Sequence, residues 1–419
     1  MIFCALFGKM TWCFDKLQKE RHGIPSGSFG RDTAIPALRA VGQHPGKTKP
    51  FPALRAVRQD PGKTKPYQQL KRTEGMERVI DWYIDHHRDF PFRNDPDPYH
   101  IWISEIMLQQ TRMETVLPYY ERFIAELPDV KTLAQVSDDR LLKLWEGLGY
   151  YSRARNLKKA AVIIMEQHNG RIPESYEALL KLPGIGEYTA GAVASIAFHQ
   201  PVPVVDGNVL RVWSRFYGSF RDVLDNDVRK EVRTSLEKEI LSKSLDAGLF
   251  NQGLMELGET VCLPKGELLC EACPLKDGCT AFREGYADRL PVRKTPEKKT
   301  VVKLTVFILK CKDKTAVVKR SGKDVLKGLY GYPVTEGHLT EEEVRRELAS
   351  NHLDAERILR LAEKKHVFTH RIWEMKAYLC EVQPVSGGAC FGGDPLIFAA
   401  DRELSEVYAL PSAFRKWDV

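Results

Sequence analysis

Apolar residues recur at helical spacing from Met76 onward, and that periodicity organises the first half of the ordered chain. Val79, Ile80, Trp82, Tyr83 and Ile84 predict an amphipathic helix over residues 76–87. The helical pattern over 100–117 has one interruption, where Thr111-Arg-Met-Glu114 reads as a capping box. One helix therefore ends near Gln110 and the next starts after Thr111. Further helices are predicted over 137–146, 152–167, 175–181, 187–198, 227–241 and 249–261. Gly147-Leu-Gly149, Asn169-Gly170 and Pro183-Gly-Ile-Gly186 separate several of them. No strand pattern is evident between 76 and 290, which makes this an all-α region.

The period changes after residues 291–300 (PVRKTPEKKT), a charged linker with two prolines. β-branched and apolar runs predict strands over 301–310 and 315–319, joined by a turn at 311–314. A third strand-like stretch covers 366–382. Helices are expected over 341–348 and, after Pro411, over 412–417. Residues 301–419 thus read as a separate α+β domain.

Residues 1–75 fit neither pattern. Residues 35–50 and 51–66 match at 13 of 16 positions, with prolines that suit neither helix nor strand. Two copies are too few for a solenoid. The segment reads as a disordered basic leader, a functionless extension rather than a nucleic-acid-binding arm, with Met76 as an alternative start. It also carries the chain's charge. The net charge is +7, but residues 1–75 hold 14 Lys and Arg against 5 Asp and Glu, leaving 49 against 51 elsewhere. DNA binding by the remainder must therefore be argued from motifs. No apolar stretch approaches the ~20 residues that span a bilayer, which excludes helical membrane classes. Nine cysteines with no secretory signal indicate a reducing, cytoplasmic environment.

Four of those cysteines fall in the run Cys262-x7-Cys270-x2-Cys273-x5-Cys279. An uneven run with one CxxC suits a [4Fe–4S] cluster better than zinc, whose paired CxxC motifs usually lie further apart; unrelated thiols are the remaining alternative. Leu182-Pro-Gly-Ile-Gly-Glu-Tyr188 joins two helices. Its Gly184 and Gly186 would let the chain turn tightly and present helix N-terminal N–H groups to a phosphate, although a plain turn has the same pattern. In Val204-Val-Asp206-Gly-Asn208, Asp206 is either a helix cap or a functional carboxylate. Glu105 stands among Ile101, Trp102, Ile103, Ile106, Met107 and Leu108. It is either solvated on a helix face, the commoner case, or buried with a raised pKa.

These four motifs, in this order, resemble the helix-hairpin-helix DNA glycosylases that carry an iron–sulfur cluster, and within them the adenine DNA glycosylases of the MutY family. The resemblance spans about 76–415. It implies a multidomain protein: an all-α glycosylase core with a [4Fe–4S] loop over 76–290, and an α+β Nudix-like domain over 301–419 that recognises 8-oxoguanine. The implied partner is double-stranded DNA with adenine opposite 8-oxoguanine or guanine, and the implied state is a monomer in a bacterial-type, nucleoid-associated setting, with no membrane.

The resemblance also assigns residues. Glu105 is the general acid toward the adenine, and Asp206, oriented by Asn208, stabilises the sugar cation. Tyr188 lies beside the sugar, where lyase relatives such as endonuclease III carry a Schiff-base lysine. A phenol cannot form an imine, so the expected enzyme is monofunctional. Arg93 and Gln252 match adenine-pocket positions. Gln110 and Tyr150 match residues that wedge into the duplex, although core packing is the plainer reading of Tyr150 and Tyr151. Phe368, Thr369 and His370 match the loop that reads the lesion; Thr369 replaces the usual serine, and without the resemblance the triplet reads as strand. Cys262, Cys270, Cys273 and Cys279 would hold the cluster.

The chain departs from the family in three places. The first cysteine gap is seven residues where many members have six, Phe92 replaces a tryptophan, and the leader has no counterpart. Three rivals remain: a non-catalytic damage sensor, opposed by Glu105 and Asp206 together; an endonuclease III-like lyase, opposed by Tyr188 and the C-terminal domain; and a Nudix hydrolase, opposed by the absent acidic box after residues 327–333.

Overall fold

A computed structural model describes residues 75–294, 299–322, 326–383, 389–415 and 417. Residues 1–74 of the expected leader and residues 295–298 of the expected linker lie outside these. The helical part runs α1 (Arg78–His86), a 3-10 turn (Pro91–Arg93), α2 (Pro98–Leu108), α3 (Met113–Glu126), α4 (Val130–Gln135), α5 (Asp138–Leu144), α6 (Ser152–Gln167), α7 (Tyr176–Leu179) and α8 (Glu187–Phe198). It continues with α9 (Gly207–Tyr217), α10 (Asn226–Lys243), α11 (Ala247–Thr260) and α12 (Thr280–Arg283). Among the described residues the only bridge in this region is Asp222 to Val292. No helix among them is long and apolar enough to cross a membrane.

Two apolar clusters build this part. Trp102, Phe123, Trp145 and Ala190 belong to one, on α2, α3, α8 and their neighbours. Val209, Trp213, Phe250 and Leu254 belong to the other, where α9 and α11 meet. The candidate site lies where α2 and α8 face α9 and α11. Gly258 lets α11 approach the start of α9, because a Cβ there would lie 2.5 Å from the Asn208 Cβ.

The remaining strands are β1 (Thr300–Cys311), β2 (Lys314–Lys319), β3 (Tyr330–Gly331), β4 (Val334–Glu336), β5 (Ala355–Arg360), β6 (Lys364–Val367), β7 (Arg371–Val382), β8 (Cys390–Phe391) and β9 (Asp394–Ala400). Helices α13 (Glu341–Ser350) and α14 (Asp401–Glu406) interleave with them. The sheet order is β5-β7-β1-β2-β9-β8, with β1 and β7 parallel and the other neighbours in this order antiparallel. Residues 304–309 of β1 are buried without alternation. Leu304, Val306 and Ile308 join the cluster shared with the helical part, while Phe307 and Leu309 join one that includes Val344 and Leu348 of α13. A strand covered on both faces reads as a continuous apolar run. Polar contacts complete the join between the two parts: the Leu410 N–H donates to Glu146 at 2.6 Å, and Lys319 pairs with Asp139 at 2.8 Å.

Three expectations are corrected. The stretch 366–382 is two antiparallel strands, β6 and β7, which pair His366 with Trp373 and Val367 with Ile372. Phe368, Thr369 and His370 therefore form the turn between strands. Residues 412–415 form turns rather than a helix. Thr111 does not cap α3; Arg112 occupies that position without a side-chain bond. The chain spends one more residue leaving Gln110, which has a left-handed φ of 60°. The Thr111 hydroxyl turns to the Gln109 carbonyl instead.

Candidate active site

Glu105 sits on α2, a helix that is apolar nearly all round and buried over most of its length. That environment takes the carboxyl out of water; the residue is 7% exposed. It lines a cleft of about 100 Å³ with Arg93, Tyr188, Asp206, Asn208 and Gln252. These six arrive from five elements: the 3-10 turn, α2, α8, the start of α9 and α11. The solvated alternative for Glu105 is thereby set aside.

The Tyr188 hydroxyl, in the first turn of α8, donates to Glu105 Oε2 at 2.6 Å and lies 3.5 Å from Met255 Sδ. Burial pushes the Glu105 carboxyl up to about 7. The Tyr188 bond opposes this, and the charge of Asp206 adds to it. Burial raises the Tyr188 phenol well above its usual range as well, so it stays a donor.

Asp206 is the N-cap of α9: Oδ1 accepts the Val209 N–H at 2.7 Å. Oδ2 accepts from Asn208 Nδ2 at 2.9 Å. Cap and cleft carboxylate are thus the same group. Burial pushes its pKa up, and both hydrogen bonds counter the shift. Asn208 also donates to Glu259 at 3.2 Å and accepts from Arg211 Nη2 at 2.8 Å. Arg211 in turn donates to the carbonyls of Gly258 and Cys262.

Arg93 donates through Nη2 to Glu256 Oε2 at 2.5 Å and through Nη1 to the Arg88 carbonyl. Arg88 makes a two-point contact with the same Glu256, which is fully buried. Burial works against ionisation, but the two guanidiniums hold this carboxyl down at about 2. Gln252 accepts from the Tyr83 hydroxyl at 3.0 Å and donates to the Gly248 carbonyl. Sequence reasoning missed Glu256 and Glu259. With Gln252 they stand at i, i+4 and i+7 of α11, one helix face, and that spacing was readable.

Gln110, Tyr150, Phe368, Thr369 and His370 line a second cavity, between the helical and sheet parts, rather than the first. Tyr150 is 45% exposed, whereas Tyr151 is 5% exposed. Core packing therefore describes Tyr151 alone. The Tyr150 hydroxyl and Thr369 Oγ1 are 2.9 Å apart. Phe368 is held edge-on by Trp373 and His366, with centroids 4.8 and 4.5 Å away. In the hairpin between α7 and α8, Gly184 has φ 78° and abuts Asn156, while Gly186 is the N-cap of α8. Nothing stands within 4 Å of a Cβ built at Gly186, and no side chain caps that helix end.

Cys262, Cys270, Cys273 and Cys279 ring one apolar pocket with Leu257, Val261 and Leu275. Among the described residues no three His, Cys, Asp or Glu side chains are placed to hold a single metal ion. The cysteines surround a space rather than a point. Arg215, which is buried, donates to Cys262 Sγ at 3.1 Å. A buried cation aimed at sulfur fits thiolate ligands, whose charge it would offset. Burial, with the neighbouring thiols, pushes Cys273 up to about 12.

Residues 103–239 match the HhH-GPD superfamily of base excision DNA repair proteins, and residues 305–417 match the NUDIX domain family. The chain is 35% identical over 258 residues to an adenine DNA glycosylase from Buchnera aphidicola subsp. Schizaphis graminum, covering 61% of this chain and 73% of the relative. It is 34% identical over 300 residues to that of Buchnera aphidicola subsp. Baizongia pistaciae, covering 70% and 82%. It is 41% identical over 221 residues to the human adenine DNA glycosylase, covering 51% and 40%. With more than two thirds of both bacterial relatives aligned, and both family matches falling in order on the helical and sheet parts, this chain belongs to the adenine DNA glycosylase family of base excision repair enzymes.

Proposed function

We propose that the protein hydrolyses the N-glycosidic bond of adenine paired with 8-oxoguanine, and also with guanine, in double-stranded DNA, leaving an abasic site. The observation that carries this reading is the buried Glu105, held by Tyr188 and facing a cleft it shares with Asp206. A carboxyl with a pKa of about 7 still holds a proton near neutrality and can give it away.

In this mechanism adenine leaves the stack and enters the cleft, where Arg93 and Gln252 contact it. Glu105 gives its proton to adenine N7. The C1′–N9 bond breaks, its electron pair goes to the base, and neutral adenine departs. The sugar becomes an oxocarbenium-like cation, which the Asp206 carboxylate stabilises; Asn208 and the Val209 N–H hold that carboxylate in place. Water adds to C1′, and the Glu105 carboxylate takes its proton. Tyr188 supplies no amine, so no imine forms and the strand is left uncut. Gln110 and Tyr150 enter the duplex, Phe368, Thr369 and His370 contact 8-oxoguanine, and the hairpin N–H groups at Gly184 and Gly186 take a backbone phosphate.

The four cysteines suit a [4Fe–4S] cluster, which would hold the segment between α11 and α12 together and supply no group to the reaction. The protein acts as a monomer in the cytoplasm, on the nucleoid.

The test uses end-labelled duplexes carrying adenine opposite 8-oxoguanine, adenine opposite guanine, and thymine glycol opposite adenine, each analysed with and without alkali. Alkali-dependent breaks at adenine, strongest opposite 8-oxoguanine, are expected. Breaks at thymine glycol without alkali would overturn the reading in favour of a lyase. Iron and sulfide assays on the same preparation should find about four of each per chain, and about one zinc instead would overturn the cluster.

A further inference from the structure

Arg153, the second residue of α6, is a buried guanidinium, 8% exposed, with no carboxylate among its hydrogen-bond partners in the described residues. Nη1 donates to the carbonyls of Ile106, Met107 and Gln109 at 2.8, 2.9 and 2.6 Å. Nη2 donates to the carbonyls of Leu148 and Gly149 at 3.1 and 3.2 Å, and to Thr111 Oγ1 at 3.4 Å. One end of a planar group thus holds the end of α2, and the other holds the loop between α5 and α6 together with the Thr111 hydroxyl. The guanidinium also lies over the rings of Trp145 and Tyr150.

The two segments share a further feature. The last carbonyl held at one end belongs to Gln109 and the last at the other to Gly149. The next residues are Gln110 and Tyr150, with left-handed φ values of 60° and 47°. Side chains rarely adopt that conformation, and it persists only where the surroundings impose it. The carbonyls at the end of α2 also lack helical partners and carry the negative end of its dipole, so a cation fits there. Leu148 and Gly149 have no such helical reason to meet the same group.

We propose that Arg153 is a positioning residue that joins Gln110 and Tyr150 into one pre-set unit for entering the duplex. This rests on the reading of those two residues given under the proposed function. A lysine keeps the charge but cannot present two ends at fixed geometry.

The test is a pair of double-mutant cycles of Gln110→Ala and Tyr150→Ala, one in the parent and one in Arg153→Lys. Single-turnover adenine excision opposite 8-oxoguanine is the readout, corrected for active fraction by burst amplitude. In the parent each substitution alone should cost about tenfold, and the second should cost less than about threefold once the first is present. In Arg153→Lys the two costs should multiply. Independent costs in the parent, or the same coupling in both backgrounds, would overturn the proposal. A merely structural role lowers active fraction and leaves the coupling unchanged.

A second measurement decides the matter if Arg153→Lys does not fold or if the parent excises no adenine. The latter result defeats the functional reading alone. Hydrogen exchange at the amides of Gln110 and Thr111 should accelerate in Tyr150→Ala, and unchanged exchange there would overturn the proposal.

Discussion

The Tyr188 hydroxyl donates to Glu105 at 2.6 Å, and this bond opposes the burial that keeps a proton on the carboxyl. Removing the donor in Tyr188→Phe should therefore raise the Glu105 pKa further. A general acid works only while protonated, so excision declines as pH rises through that pKa. The basic limb of the single-turnover pH profile should move upward by about one unit. An unmoved limb, or one displaced downward, would mean that the required proton is not on Glu105.

Glu105→Gln should abolish excision and also change how stability responds to pH. The carboxyl titrates near 4.5 when unperturbed and near 7 in the fold. Between these values the unfolded chain has released its proton while the folded one retains it. Parent stability therefore falls as pH rises across that window. The loss levels off above pH 7 at about 3 kcal/mol. Glutamine has no proton to release, so the variant should gain on the parent at pH 8 but not below pH 4.5. Urea unfolding at both ends of the window checks this, and an equal difference at both would contradict it.

Asp206→Asn separates the two roles of that residue. Asparagine is as good an N-cap as aspartate, so α9 should keep its start. The charge facing the sugar is lost. Excision should fall about a thousandfold or more, while affinity for the adenine–8-oxoguanine duplex stays within about threefold of the parent. Retained turnover in a single-turnover assay would remove Asp206 from the chemistry.

Phe368 and His370 belong to a turn that the rings of Trp373 and His366 brace. Phe368→Ala and His370→Ala should each reduce the preference for 8-oxoguanine over guanine opposite adenine by about tenfold. The rate opposite guanine should change much less. Ratios of kcat/KM on the two duplexes measure the effect, and a preserved ratio would place lesion reading elsewhere.

The sequence was most legible where local chemistry sets the boundaries. Helices expected over 152–167 and 187–198 end as expected, because Asn169-Gly170 and Gly186 stop and start them in the chain's own vicinity. The turn at Phe368–His370 was not legible in the strand pattern. It contains no Gly, Asn or Pro, and the polar triplet Thr369-His370-Arg371 is its one break in the apolar pattern; only its family match singled it out. The burial of Glu105 was equally hidden, since it depends on α8, α9 and α11 closing over a residue that α2 alone could have left in water. The family resemblance chose between these alternatives for Glu105 and Asp206. It did not point to Glu256 or Arg153, whose importance comes from what they hold.

Glu256 provides the opposite perturbation to Tyr188. The charged and titratable groups around Glu105 are Arg93 from the 3-10 turn, Tyr83 from α1, Tyr188 from α8, Asp206 at the start of α9, and Glu256 and Glu259 from α11. Arg93 favours the ionised form of Glu105, and its own charge is balanced by Glu256 at 2.5 Å. Glu256→Gln removes that balance while keeping the shape and two polar atoms. Arg93 would then face the cleft without its counter-charge, while Arg88 keeps Glu114 at 3.1 Å, so Glu105 should ionise at lower pH. The basic limb of the excision profile should move down, against the upward move in Tyr188→Phe. Some stability is also lost, because breaking a buried pair leaves uncompensated charge, typically about 3 kcal/mol or more. The pH profile of the folded fraction distinguishes the two effects: instability lowers the amplitude, and only a change at Glu105 moves the limb. A limb that stays in place would show that Glu256 orients Arg93 without governing the proton on Glu105.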